Sequence, residues 1–300
     1  MLEEWAKEPG LPISQHTPDY VRETDKSVKA LQDPPETIAR VWEVAARYRS
    51  HEVPVKVYQP HASEAPLPIF IYIHGGGFVI GPESYESPIR AISNRSGYLV
   101  CSIHYRLAPE NKFPNAVEDA FMASEWIVKN AAQFGGNSEL IVIGGDSSGG
   151  NLAAVIAHLN KQRSAFELKS QILIYPMLDA TCSQPSVTTF ASGYGFTREK
   201  IEWYFSQYMS SSVNKTDSRL SPLLAADLSG LPATVIATAE FDPLRDEGEA
   251  YGRRLIEAGV AVKMKRYLGV IHGFLQMAGV LKQGKALIED VAQELRAINA

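Results

Sequence analysis

Cysteine is nearly absent from this chain of 300 residues, which holds only Cys101 and Cys182. A disulfide-stapled scaffold is excluded, and nothing in the pattern asks for the one bridge that two cysteines allow. Cys101 sits in the apolar run YLVCSI and reads as a small buried hydrophobe, while Cys182 lies in a polar, loop-like stretch. No uncharged run approaches the ~18 residues that a membrane span requires. An excess of basic charge is also missing: 29 Lys and Arg are scattered against 34 Asp and Glu, for a net charge of -5. That balance gives no footprint for nucleic acid or an acidic membrane surface. The seven histidines and two cysteines form no ligand cluster, so no metal or other cofactor is expected. The opening MLEEWAKEPG has early acids and no apolar run, unlike a secretory signal. A soluble cytoplasmic protein is the expectation, with a homodimer left open.

What is present is a rhythm of short apolar runs and amphipathic segments. Residues 1–40 are polar and carry five prolines, which suggests one or two short helices lying on the body. ARVWEVAARY has helical propensity, but VPVKVYQP alternates like a strand, and Val41 to Tyr58 is read as a hairpin turning at Ser50-His51-Glu52. From Leu67 onward the pattern sharpens. PIFIYIH, YLVCSIHY, LIVIGGD, SQILIYPMLD, ATVIATAEFD and VKMKRYLG read as strands, and most are followed by a helical segment. The helices are NAVEDAFMASEWIVKNAAQF, GGNLAAVIAHLNKQR, EGEAYGRRLIEAG and a last one from about Gly279 to Ala297. Such alternation means an α/β chain with a mostly parallel sheet flanked by helices. The interval between Asp179 and Ala233 is too long for a simple connection and reads as an inserted lid or cap.

The stretch GGDSSGGNL, residues 144–152, stands between a strand and a helix. A phosphate loop fails there, because Gly150-Asn151 occupy the places of Lys and Ser/Thr, and Asp146 would put a carboxylate among the amides. Gly145-Asp146-Ser147-Ser148-Gly149 instead meets G-x-S-x-G, the turn that lifts a nucleophilic serine above a sheet. Only Ser147 has glycine at both -2 and +2. Ser148 then opens the helix, with its backbone N–H directed at a developing oxyanion. His74-Gly75-Gly76-Gly77-Phe78 follows the PIFIYI strand, where three glycines let amides approach a ligand unobstructed. The base must follow the nucleophile in this fold. Of the two later histidines, His158 lies about three turns along the helix and points away, which leaves His272. Asp242, at the end of the strand from Ala233, is the candidate acid; Glu240 stays as its alternative, and Asp246 is assigned to capping the next helix.

HGGGF, YRLAPE (Tyr105 to Glu110), GDSSGGNLA, EFDPLRDEGEAY and IHGF, in this order, make the chain resemble the bacterial hormone-sensitive-lipase-like esterases, which are α/β hydrolases. The resemblance runs from about Val53 to the C-terminus. It implies Ser147, Asp242 and His272 as a triad and the amides of Gly76, Gly77 and Ser148 as an oxyanion hole. It also implies one domain over 1–300 with segments 1–40 and 180–230 forming a helical cap. The family usually carries Ala after the nucleophile, where this chain has Ser148. Within the cap, Ile201, Tyr204, Phe205 and Tyr208 at i, i+3, i+4, i+7 read as packing. Phe78, Phe190, Tyr194 and Phe196 are candidate substrate contacts. A serine carboxylesterase acting on short- to medium-chain acyl esters is expected. An amide, lactone or carbamate hydrolase is the alternative, and a non-catalytic binding module would lack one of the triad types.

Overall fold

The computed structural model describes residues 12–48 and 51–299. The opening decapeptide read above, and Ser50 of the expected hairpin turn, lie outside them. Two antiparallel strands, β1 (Arg40–Tyr48) and β2 (His51–Gln59), begin the sheet after a short helix α1 (Pro18–Asp25). The helical propensity of β1 is overridden by full-length pairing with β2, from Arg40 opposite Gln59 to Tyr48 opposite His51. His51 and Glu52 therefore belong to the strand and not to the turn.

The remaining elements alternate. They are β3 (Leu67–Ile73), α2 (Glu86–Ser96), β4 (Leu99–Ile103), α3 (Asn115–Asn130), β5 (Gly136–Asp146), α4 (Ser148–Arg163) and β6 (Ser170–Ile174). Helices α5 (Pro185–Thr189) and α6 (Arg198–Tyr208) follow, then β7 (Ala233–Phe241), α7 (Arg245–Glu257), β8 (Val262–Ile271) and α8 (Lys282–Asn299). The eight strands lie in the order β1-β2-β4-β3-β5-β6-β7-β8, antiparallel up to β4 and parallel beyond it. This is the alternating α/β architecture that the apolar runs imply.

The period-2 geometry of the central strands divides the core in two. Ile69, Ile71 and Ile73 face one side with side chains of α3, α4 and α7, while Phe70 and Tyr72 face the other with α2 and α8. Both faces are covered, which is why β3 reads as an unbroken apolar run, buried at all seven positions. The parallel register places the carboxyl ends of β3, β5 and β7 at one edge of the sheet, and the loops leaving those ends carry His74, Ser147 and Asp242. No helix among the described residues is long and apolar enough to cross a membrane. Both cysteines are free thiols, Cys101 buried and Cys182 partly so.

Candidate active site

Ser147 sits at φ 53° and ψ −119°, a backbone strained for any residue but glycine. Three main-chain bonds hold it there: its N–H donates to Ile174, and its carbonyl accepts from Asn151 and Met177. The flanking glycines are required by close approach. A Cβ on Gly145 would lie 2.2 Å from the Ile73 carbonyl oxygen, and one on Gly149 would lie 2.0 Å from the same atom. The end of β3 thus packs directly on the turn, and the chain after it is brought against Ser147.

His272 follows β8 and is nearly enclosed. Its Nε2 lies 3.0 Å from Ser147 Oγ and its Nδ1 lies 2.8 Å from Asp242 Oδ2. A carboxylate oxygen only accepts, so Nδ1 carries the proton and Nε2 is left to accept from the serine hydroxyl. Asp242 is fully buried, and its Oδ1 accepts from the Leu244 amide at 2.8 Å. The imidazole is held between rings as well, stacked on Phe196 at 4.3 Å and edge-on to Tyr175 at 4.7 Å. Glu240 is elsewhere: its carboxylate accepts from the Gly269 amide at 2.7 Å. Asp246 does not cap α7 from the outside. It stands in the first turn, where it accepts from the Ser186 amide and pairs with Arg245, because the chain at 242–244 already turns on Asp242.

Asp146 ties the two glycine motifs together. One oxygen accepts from Gly75 N–H at 2.9 Å and from Tyr72 O–H at 2.8 Å, and the other from Tyr85 O–H at 2.9 Å. Burial pushes its carboxyl above the ordinary value, while these three donors and the nearby His272 pull it back. His74 is fully buried, stacks on Tyr105 at 4.4 Å, and directs Nδ1 at the Gly75 carbonyl, 2.8 Å away. Burial, with His104 nearby, lowers its pKa to about 3, so it is a neutral structural imidazole. Tyr105 adds a hydrogen bond to the His74 carbonyl at 2.9 Å. Gly76 and Gly77 take φ of 101° and 60°, and neither amide donates to another backbone group among the described residues. Ser148 is the first residue of α4, where an amide has no intrahelical acceptor.

A cavity of about 370 Å³ opens beside Ser147 and His272. Asp25, Gly76, Gly77, Phe196, Lys200 and Tyr204 line it, so both expected cap segments contribute walls. Three of the four expected substrate contacts do not line it. Phe78 is fully buried, stacked on Tyr208 at 3.8 Å, because its positive φ of 64° turns the ring away into the core. Tyr194 stacks on Phe241 at 5.3 Å, and Phe190 packs edge-on against both. A larger hollow of about 490 Å³ lies over α3 and contains none of these groups; there Asp119 is tied to His51 and Arg106.

Residues 70–276 match the family described by the alpha/beta hydrolase fold. The chain belongs to that family. As an α/β hydrolase it is 36% identical over 250 residues to an ethyl acetate hydrolase of Pseudomonas putida, covering 82% of this chain and 79% of that one. It is 35% identical over 277 residues to the carboxylesterase NlhH of Mycobacterium tuberculosis, covering 90% and 87%. A crystal structure of a thermostable esterase from Pseudomonas putida superposes with a TM-score of 0.94 at 31% identity, over 99% of this chain and 94% of that one. Within this hydrolase, sequence reasoning missed Tyr72 and Tyr175, in apolar runs, and Tyr85, in the polar stretch PESYES, since a tyrosine in either setting carries no mark of what its hydroxyl or ring edge will meet. It also favoured packing over a pocket role for Tyr204, whose ring lies against Gly77 and lines the cavity.

Proposed function

We propose that the protein is a serine carboxylesterase in which Ser147 is the nucleophile, His272 the general base and acid, and Asp242 the residue that orients the imidazole. The observation that carries the reading is the unbroken chain from Ser147 Oγ to His272 Nε2 at 3.0 Å and from Nδ1 to Asp242 at 2.8 Å, at the wall of an open cavity. Ser147 Oγ attacks the ester carbonyl as its proton passes to Nε2. The resulting oxyanion is received by the amides of Gly76, Gly77 and Ser148, each such donor typically contributing ~3 kcal/mol. The Nε2 proton then goes to the departing alkoxide. Water, deprotonated by the same nitrogen, attacks the acyl-enzyme and releases the acid and the serine hydroxyl. The modest volume of the cavity supports short- to medium-chain acyl groups.

The test is hydrolysis of a p-nitrophenyl ester series from acetate to palmitate by the wild type, Ser147→Ala and Ser148→Ala. Turnover should be highest at the short to medium lengths and should fall by ~10⁴-fold or more in Ser147→Ala only. Retained turnover in Ser147→Ala with loss in Ser148→Ala would overturn the assignment.

A further inference from the structure

The cavity beside Ser147 holds a charge that the hydrolytic steps leave unused. Lys200, in the first turn of α6, lines it together with Ser147, Phe196 and His272. Its Nζ donates to the Gly195 carbonyl at 2.7 Å, and it makes no ion pair among the described residues. Half-buried, its ammonium is pushed below the ordinary lysine value by loss of water alone, with no charged neighbour contributing. A cation at this end of a helix also faces the positive pole of the dipole, so its local setting disfavours it twice.

The cavity's acids do not neutralise it. Asp146 is engaged by three donors. Asp25 accepts from Ser84 Oγ at 3.1 Å, which in turn accepts from Gln276 Nε2 at 3.0 Å; burial pushes the Asp25 carboxyl up to about 6, and Lys200 is not among the groups acting on it. An ammonium has three donors, and the Gly195 carbonyl uses one.

We propose that Lys200 is a specificity residue and that the preferred substrates are esters bearing a carboxylate a few atoms from the scissile carbonyl. This rests on the ester-hydrolase reading of Ser147. The carboxylate supplies the counter-ion that the described residues do not, and makes a charge-assisted hydrogen bond with the two remaining donors. The neighbouring Phe196, stacked on His272, brings the Lys200 wall close to the reacting atoms. The rival role for Lys200 is to hold the Gly195 turn, and it makes a different prediction.

The experiment measures kcat and KM by pH-stat for ethyl butyrate, monoethyl succinate (charge on the acyl side) and carboxymethyl butyrate (charge on the alcohol side). The enzymes are the wild type, Lys200→Met and Lys200→Arg. For at least one charged ester, wild-type kcat/KM should exceed that for ethyl butyrate. The charged-to-neutral ratio should then fall about tenfold or more in Lys200→Met, mainly through KM, and recover in part in Lys200→Arg. If all three esters fall together in Lys200→Met, Lys200 serves the turn and the inference is overturned. A wild type that prefers the neutral ester over both charged ones overturns it too, and this outcome needs no variant to fold. Failure of the wild type to hydrolyse any of the three is a separate result, which overturns the ester-hydrolase reading itself.

Discussion

Two adjacent serines in GDSSGG differ in what surrounds them rather than in their own chemistry. The hydroxyl of Ser147 is directed to an imidazole, and that of Ser148 is buried, accepting from the Phe78 amide at 3.2 Å. The hydroxyl that replaces the family's usual methyl thus fastens the glycine loop to the start of α4. Ser148→Ala should keep its amide and most of its turnover. It should cost ~1 kcal/mol of stability through the lost acceptor, measurable as a lower midpoint in urea. The glycine spacing on either side of Ser147 made it legible in the sequence, because that spacing reports on a close approach that no larger residue tolerates. The choice between Asp242 and Glu240 was not decided by pattern. It is decided by where β7 stops, which leaves Asp242 beyond the strand facing His272 and Glu240 bound to Gly269.

Helix α6 shows how an element's role exceeds its periodicity. The stripe Ile201, Tyr204, Phe205 and Tyr208 is buried, as its spacing implies, yet Tyr204 also presses its ring on the glycine loop. A Cβ on Gly77 would stand 2.2 Å from that ring, at a φ of 60°. Gly135 shares the positive φ, at 77°, but a Cβ there meets nothing within 4 Å. Gly77→Ala should therefore lower kcat/KM by more than tenfold, while Gly135→Ala should cost only the ~1 kcal/mol of left-handed backbone and leave kinetics intact. Equal kinetic effects would mean that backbone strain, and not contact with the cap, is what Gly77 avoids. At the other segment, Arg22 of α1 donates to the Val79 and Ala108 carbonyls at 2.9 and 2.8 Å and pairs with Glu110. That anchor could not be read beforehand: a lone arginine in a polar stretch does not announce carbonyls over fifty residues away. The strands were legible because burial on both faces forces apolar runs; β1 was less so, since its helical propensity is overcome only by its partner β2.

Across the whole molecule, buried imidazoles weaken the fold in acid, opposed by buried carboxyls such as Asp25, which burial pushes up to about 6. Burial lowers His158 to about 4 and His74 to about 3, against 6.5 when unfolded. A depressed pKa means that the unfolded chain takes up protons first, so the stability these groups contribute is full above 6.5 and is lost as pH falls towards 4 and 3. The share of the stability, and of the melting temperature, that the imidazoles contribute should therefore decline from pH 7 to pH 4. His158, whose Nε2 meets the Tyr251 hydroxyl at 3.1 Å, accounts for on the order of 3 kcal/mol of that change. His158→Gln should flatten the decline, and an unaltered slope would assign the acid sensitivity to other groups.

The central claim is that Ser147, and no other hydroxyl, forms the acyl-enzyme. Treating the protein with a fluorophosphonate ester and mapping the adduct by peptide mass spectrometry tests it most directly. One adduct is expected, on Ser147, present in Ser148→Ala, absent in Ser147→Ala, and formed in step with loss of esterase activity. An adduct on Ser148, or complete inactivation with Ser147 unmodified, would contradict it.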